Sequence, residues 1–283
     1  MTDSKLAPQS DPLAGELISL RRRVKLQVSY HSGANPCLVF LHGGLGNRFN
    51  WRSQYEFFLH QGRSVLAYDL AGHGQSTPYP RYSLGRHQRD LTRLLRRYEI
   101  ELPILCCHSY GVPLGLEWAR RHRVSGLVLV AGGTHDLDPW WEIPLMKFLA
   151  WGGRYLYHLP PIQYLTNRLS SNHQKEVLQQ FFAESPVPTE PHPYEALEIF
   201  WGYDFWQRQR SHSKLKVPVL IISGGNDPMF TEAMGADLAA RFDFGQHLHL
   251  PTAGHLLIAE YHEIVNKAIA DFIDKIPELS SLL

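Results

Sequence analysis

The sequence predicts an open α/β sheet whose strands run mostly parallel and are flanked by helices. Two features of the 283-residue chain predict it: short apolar runs recur along its length, and stretches with helical periodicity separate them. Strands buried on both faces of a parallel sheet form continuous apolar runs, and alternation with helices is typical of that architecture. Ligands of such sheets bind beyond the carboxyl ends of the strands, so the residues after each run are candidates for chemistry.

The predicted strands are residues 24–30, 36–41, 64–70, 103–107, 126–130, 217–222 and 247–250. Residues 24–30 alternate apolar and polar side chains, which predicts a half-buried edge strand. Between Leu84 and Tyr98 the apolar residues fall on one helical face and the arginines on the other. A second helix is predicted near the C-terminus, with Ile264 on its apolar face.

One stretch, residues 134–213, interrupts this alternation. It contains five of the chain's seven tryptophans and shows no strand pattern, and it is too long for an ordinary loop. We interpret it as a mostly helical cap inserted into an α/β core made of residues 16–133 and 214–283. Residues 1–15 lack a basic start followed by an apolar run, so they are predicted to be a disordered tail rather than a signal peptide.

Composition excludes several classes of function. The net charge of +1 gives no bulk argument for a nucleic-acid partner, and the arginines at 21–23 and 86–97 are interpreted as solvated faces rather than a phosphate site. Three cysteines offer no disulfide framework and fit a reducing compartment. No window approaches the roughly 18 apolar residues of a membrane span. We therefore expect a cytoplasmic monomer or homodimer without stable membrane insertion.

The strongest local signal is Cys107-His108-Ser109-Tyr110-Gly111, where a strand ends in a serine and a helix begins. This is the layout of a nucleophile elbow, G-x-S-x-G, whose tight turn requires small residues two positions before and after the serine. Gly111 fits, whereas Cys107 replaces the usual first glycine. Pro113 suits the first helical turn, and the helix N-terminus places positive potential beside Ser109. The alternative is an ordinary serine in a strand-to-helix turn.

Two further residues fit a catalytic triad. A serine hydroxyl needs a base to accept its proton, and the base needs a third group to orient it. Asp227 follows one predicted strand and His255 follows the last, and the order Ser109, Asp227, His255 is that of serine enzymes on this kind of sheet. Asp136 is the alternative for the acid. Each residue alone could equally be a turn or surface residue.

The developing oxyanion needs backbone N–H donors. Tyr110 would supply one and Gly44, in His42-Gly43-Gly44-Leu45-Gly46, the other. A dinucleotide-binding role for the same loop is weak, because Phe49 stands where the third glycine belongs. Neither H-E-x-x-H nor paired C-x-x-C is present, so we predict no metal and no cofactor.

From about residue 17 to 276 the chain resembles the α/β-hydrolase superfamily, and more narrowly the uncharacterised α/β-hydrolase-domain proteins of animals and bacteria. The resemblance lies in residues 42–44, 69–76 (DLAGHGQS), 107–111, 224–227 and 254–255. It implies an α/β-hydrolase fold with Ser109 as nucleophile, His255 as base and acid, and Asp227 as its orienter, with Gly44 and Tyr110 as oxyanion donors. Haloalkane dehalogenases and epoxide hydrolases are similar but carry aspartate at the elbow.

The predicted function is therefore hydrolysis of a carboxylic ester or related acyl compound through an acyl-enzyme on Ser109. An aromatic cap favours an apolar substrate, with these residues as lining candidates: Trp140, Trp141, Trp201 and Trp206. The same rings could instead pack the cap onto the core. The alternatives left open are lactone or carbon–carbon bond hydrolysis, cofactor-free perhydrolysis, and a binding protein without turnover. Activity should fall in acid as His255 gains a proton.

Overall fold

A computed structural model describes residues 11–21, 23–133, 144, 148, 152, 175–197, 199 and 215–280. Its strands form one eight-stranded sheet in the order β1-β2-β4-β3-β5-β6-β7-β8. The first two strands in that order, β1 and β2, join antiparallel, as do β2 and β4, and every other pair is parallel. The predicted mostly parallel sheet is thereby confirmed. The strands are β1 (Glu16–Arg21), β2 (Val24–His31), β3 (Ala34–Leu41), β4 (Arg63–Tyr68), β5 (Ile104–His108), β6 (Gly126–Val130), β7 (Val219–Gly224) and β8 (Gly245–Leu250).

Helices follow most of the parallel strands and cover both faces of the sheet. A short 3-10 helix, Arg48–Trp51, precedes the first α-helix. The helices are α1 (Arg52–His60), α2 (Leu84–Arg97), α3 (Gly111–Ala119), α4 (Lys175–Glu184), α5 (His192–Ala196), α6 (Glu232–Ala239), α7 (Leu257–Glu260) and α8 (His262–Ser280). Among the described helices, none combines the length and the apolar character needed to cross a membrane.

The two sides of the sheet enclose two apolar clusters. The leucines of α2 and the apolar residues of α3 pack on one face, and α1, α7 and α8 pack on the other. Five residues of α2 are buried, and they include His87 and Asp90 as well as three leucines. In the C-terminal helix the prediction for Ile264 was wrong, because this side chain is 48% exposed. The buried face of α8 is formed by Val265, Ile269, Phe272, Ile273 and Ile276, and Ile264 lies outside it.

The prediction that residues 24–30 form an edge strand was wrong. β2 pairs with β1 on one side and β4 on the other, and β1 is the edge. The alternation of polar and apolar residues predicted that one face of β2 is exposed, but the polar residues Gln27 and Ser29 are buried as well. Gln27 Nε2 donates to the carbonyl of Ala14 at 2.9 Å, and Ser29 Oγ donates to that of Leu13 at 2.8 Å. The residues before β1 thus satisfy both polar side chains.

The same contacts involve residues that were predicted to belong to a disordered N-terminal tail. Leu13 is fully buried, and its carbonyl also accepts a hydrogen bond from Arg48 Nε at 2.9 Å. Leu13 is therefore packed on the core, and the carbonyls of Leu13 and Ala14 bond to it, which a disordered tail over residues 11–15 would not do. These carbonyls find donors on β2 and on the 3-10 helix.

The predicted cap follows β6 and precedes β7 in the chain. Of its described residues, 175–184 and 192–196 form α4 and α5. The four tryptophans proposed to line the substrate site and the alternative acid Asp136 lie outside the described residues. The parallel strands β3 to β8 point their carboxyl ends toward one edge, and the candidate site lies there.

Candidate active site

Ser109 occupies the turn between β5 and α3 with a left-handed backbone, φ +48°. Its N–H donates to the carbonyl of Val130 at 2.9 Å, and its carbonyl accepts from Val112 N–H at 2.9 Å. A Cβ on Gly111 would lie 2.7 Å from the Leu41 carbonyl oxygen, and one on Gly132 would lie 2.9 Å from the Ser109 carbonyl oxygen. The turn is therefore strained and closely surrounded by backbone, as a nucleophile elbow requires.

Cys107, which replaces the first glycine of the elbow pattern, places its thiol beside Gly115 of α3. A Cβ on Gly115 of α3 would lie 2.3 Å from Cys107 Sγ, so the thiol occupies the space that a larger residue at position 115 would need. Cys107 is fully buried, and burial raises the pKa of its thiol well above the ordinary value. The thiol is thus a neutral packing group beneath the elbow.

The structure brings Ser109, His255 and Asp227 into one hydrogen-bonded series. His255 Nε2 lies 2.9 Å from Ser109 Oγ, and His255 Nδ1 lies 2.9 Å from Asp227 Oδ2. Because an ionised carboxylate only accepts, Nδ1 carries the proton and Nε2 is left to accept one from the serine. The Asp227 side chain has no exposed surface, whereas that of His255 is 28% exposed.

Backbone donors fix the Asp227 carboxylate. Its Oδ1 accepts from the N–H groups of Met229 at 2.8 Å and Phe230 at 3.2 Å, while Oδ2 faces the histidine. Hydrogen bonds to the charged form stabilise a carboxylate inside a protein. Asp227 is therefore held in one orientation by the turn that follows β7.

The loops that carry Asp227 and His255 touch through their backbones. A Cβ on Gly225 would lie 2.1 Å from the Pro251 carbonyl oxygen, so only glycine permits this approach. Asn226 N–H donates to the Ala253 carbonyl at 2.9 Å. From α7, Glu260 Oε2 accepts from Gly254 N–H at 3.0 Å. Glu260 was not predicted as a site residue, because in the sequence it is only an acidic residue on a predicted helix.

His108 is a further residue that sequence analysis missed. Its Nε2 lies 2.9 Å from the carbonyl oxygen of His255, so Nε2 carries the proton and donates. Its ring lies beside those of Trp51 and His255, with centroids 6.4 and 5.2 Å away. Burial lowers the pKa of His108 to about 3. This neutral imidazole therefore holds the backbone of the candidate base.

The glycine loop after β3 is held by His42. The Nδ1–H of His42 donates to the Gly43 carbonyl at 2.7 Å, and its Nε2 accepts from Leu70 N–H at 2.9 Å. Burial lowers the pKa of His42 to about 3, so this neutral tautomer persists. A Cβ on Gly44 would lie 3.6 Å from Tyr110 Cβ, so the two residues predicted to supply the oxyanion donors are neighbours.

The segment after β4 anchors the same loop. Asp69 accepts hydrogen bonds from Arg48 N–H at 2.8 Å, Arg48 Nη1 at 2.8 Å and Gln75 N–H at 2.9 Å. Both members of this ion pair are buried, and burial raises the pKa of the Asp69 carboxyl against the opposing effect of Arg48. A Cβ on Gly74 would lie 2.2 Å from Asp69 Oδ2. The conspicuous residues 69–76 are thus a structural support of the site.

Tyr110 connects the elbow to the insertion. Its hydroxyl donates to the Ala196 carbonyl in α5 at 2.8 Å and lies 3.3 Å from His87 Nε2. The neighbouring Leu197 lies over the glycine loop, since a Cβ on Gly44 would lie 3.3 Å from its Cδ2. Leu197 is an apolar neighbour of the site that was not predicted, because only tryptophans were considered as lining residues. The described part of the chain contains no group of three or more His, Cys, Asp or Glu side chains that could hold a metal ion.

Comparison with known proteins agrees with this fold. A family model of the alpha/beta hydrolase fold matches residues 36–260, so the chain belongs to that family, and the predicted resemblance is confirmed. The chain is 25% identical over 267 residues to human Protein ABHD8, covering 87% of this chain and 57% of the relative. It therefore spans little more than half the length of that relative.

Two bacterial proteins match over more of their length. The bifunctional esterase/perhydrolase DCH of Acinetobacter calcoaceticus is 23% identical over 255 residues, which are 84% of this chain and 91% of that protein. The solved structure of a thermophilic esterase from Thermogutta terrifontis has a TM-score of 0.76 at 21% identity, covering 89% of this chain and 94% of that one. A structural likeness at this identity shows the shared fold alone.

Proposed function

We propose that this protein is a serine hydrolase that cleaves a carboxylic ester or related acyl compound. The observation that carries the proposal is the series Ser109–His255–Asp227, in which both hydrogen bonds are 2.9 Å long. A serine with this pair of partners at a strained strand-to-helix turn is the arrangement that generates an alkoxide-like nucleophile. Ser109 also distinguishes the chain from hydrolases of this fold that use a carboxylate at the elbow.

The reaction proceeds in two halves. Ser109 Oγ forms a bond to the substrate carbonyl carbon while its proton passes to His255 Nε2, and the carbonyl π electrons move to oxygen. Collapse of this tetrahedral intermediate breaks the bond to the leaving group, which takes the proton from His255. Water then attacks the acyl-enzyme, His255 accepts its proton, and collapse returns that proton to Ser109 and releases the acid.

Asp227 and the backbone donors act on the charged states of this sequence. The buried Asp227 carboxylate holds the Nδ1–H tautomer of His255 and stabilises the imidazolium that forms when Nε2 gains a proton. The N–H groups of Gly44 and Tyr110 are the proposed donors to the oxyanion. Removing one such donor typically costs about 3 kcal/mol of transition-state stabilisation. His42 and Arg48 contribute by holding the glycine loop in place.

Two observations support an acyl substrate with an apolar group. Leu197 and the Tyr110 ring lie beside Gly44, so apolar surface borders the proposed oxyanion donors. In addition, relatives named as an esterase/perhydrolase and as a thermophilic esterase share the fold.

A series of p-nitrophenyl esters from acetate to decanoate tests this function. We expect saturable hydrolysis that is abolished in Ser109→Ala, with kcat/KM rising up to about fourfold per added methylene until the apolar site is filled. Ser223→Ala is a matched control, because Ser223 Oγ also lies 2.8 Å from a histidine nitrogen, that of His247, but is fully buried in β7. The control should keep the wild-type rate. Absence of hydrolysis by folded wild-type protein, or equal rates for Ser109→Ala, would contradict the proposal.

A further inference from the structure

A cavity of about 410 Å³ lies between α2 and the residues that follow α3, and none of its lining residues belongs to the candidate active site. Four arginines line it, with small and polar residues between them: Arg89, Arg93, Arg96, Arg121, Gly85, Gln88, Thr92 and His122. None of these lining residues is acidic. Its lining therefore contains four arginines and no carboxylate, and we call it the arginine groove.

Helical geometry places three of these arginines on one side of α2. Arg89, Arg93 and Arg96 are spaced four and three residues apart on α2, so they project from one side of that helix. Arg121 contributes a fourth guanidinium from the chain beyond α3. The seven helical steps from Arg89 to Arg96 span about 10 Å of helix axis. A ligand lying along the groove could therefore meet separate guanidinium groups with separate anionic groups.

These charges are poorly balanced within the described chain. Arg93 Nη1 pairs with Asp90 Oδ1 at 3.1 Å, and the Asp90 side chain is only 2% exposed. No described carboxylate lies within ion-pair distance of Arg89, Arg96 or Arg121. Like charges three and four residues apart on a helix destabilise it slightly. An anion bound in the groove would relieve this repulsion.

The walls of the groove are fixed relative to each other. Trp118 Nε1 of α3 donates to Thr92 Oγ1 of α2 at 2.9 Å. His122 Nδ1 donates to the Trp118 carbonyl at 2.9 Å, and the two rings stack at 4.1 Å with planes 8° apart. The two segments that carry the arginines are therefore held together by direct contacts before any ligand binds.

We propose that the arginine groove binds a small molecule or headgroup that carries two or more phosphate groups. Guanidinium groups bind phosphate oxygens in a bidentate geometry, and several in a row favour a ligand with several phosphates over one with a single charge. The volume lies within the range of small-molecule sites. This ligand can come from solution or from a phosphoinositide in a membrane surface, and the two sources present the same chemistry. The proposal does not depend on the triad or its substrate.

Titration calorimetry with sodium tripolyphosphate at low salt tests the soluble source. The groove variant combines Arg89→Gln, Arg96→Gln and Arg121→Gln. The control variant removes the same charge from exposed arginines outside the groove: Arg81→Gln, Arg97→Gln and Arg123→Gln. Circular dichroism and thermal unfolding verify that both are folded. We expect the groove variant to bind at least tenfold more weakly than the wild type, and the control variant to bind within threefold of the wild type.

Flotation with phosphatidylcholine vesicles, with and without phosphatidylinositol bisphosphate, tests the membrane source. Binding that requires the phosphoinositide and is lost only in the groove variant would support the proposal with a lipid headgroup as ligand. If both variants lose affinity equally in both assays, the arginines act as a diffuse solvated face and the proposal is overturned. Failure of the wild-type protein to bind either probe, or equally tight binding of citrate, would also overturn it.

Discussion

The contact between Cys107 and Gly115 yields a quantitative prediction about the elbow. A methyl group at position 115 would lie 2.3 Å from Cys107 Sγ, against an ordinary contact distance of about 3.5–4.0 Å. Both residues are fully buried, so the thiol cannot move into solvent. Overpacking of this kind costs about 1–3 kcal/mol, and the helix propensity gained by replacing glycine returns up to about 1 kcal/mol. Gly115→Ala should therefore lower the free energy of unfolding by about 1–2 kcal/mol.

A second substitution should reverse this loss. In Cys107→Ala the sulfur is gone, and the remaining Cβ would lie 3.7 Å from the new methyl, which is ordinary contact. Cys107→Ala alone leaves a small cavity, at a cost of about 1–2 kcal/mol. In the double variant the methyl introduced at position 115 fills that cavity, so we expect near wild-type stability and a favourable coupling energy of about 2–4 kcal/mol. Urea unfolding followed by circular dichroism measures all four proteins. If the losses of unfolding free energy in the two single variants simply add in the double variant, the thiol does not occupy this space.

Three further predictions concern the histidines and the acid. Asp227→Asn should lower kcat by about 10⁴-fold with the fold retained, because an amide donor would favour the wrong His255 tautomer; full activity in steady-state assays would assign the acid elsewhere. His108→Ala should lower kcat about tenfold, because the hydrogen bond to the His255 carbonyl is lost. His108→Gln should recover part of this activity, since its amide can still donate. Equal kcat values for the two variants would show that His108 does not act through this hydrogen bond. Burial lowers the pKa of four histidines to about 3, namely His42, His73, His87 and His108. Below about pH 6.5 the unfolded chain therefore binds more protons than the folded protein, so the free energy of unfolding should fall by about 2 kcal/mol per histidine between pH 7 and pH 5. In His73→Gln this fall should be smaller by about 2 kcal/mol, the contribution of one histidine. An unchanged slope of unfolding free energy against pH would show that His73 is not held neutral.

The sequence predicted the position of the candidate triad because the fold makes strand ends converge. Ser109, Asp227 and His255 each follow a parallel strand, and the carboxyl ends of those strands share one edge of the sheet. Their order along the chain then suffices to place them together. The glycines at 43–44 and 224–225 were recognisable for the same reason, since close backbone approach leaves glycine as the visible residue type.

Residues whose role depends on distant contacts could not be predicted in this way. His108 acts on the His255 carbonyl across 147 positions of sequence, and nothing local to either residue indicates that bond. β1 was missed because Ile18 is its one buried residue, so it has no apolar pattern to detect. Gln27 and Ser29 suggested a solvated face, whereas the segment before β1 covers them. In each case tertiary contacts decide what the local pattern leaves open.

The most direct test of the catalytic proposal is labelling with a fluorophosphonate, followed by peptide mass spectrometry. Activated serines react with this probe, whereas an ordinary serine does not. We predict a single adduct on Ser109, its absence in Ser109→Ala, and none on Ser223, which has a histidine partner but is buried away from the oxyanion donors. A folded wild-type protein that remains unlabelled, or an adduct that persists in Ser109→Ala, would contradict the account.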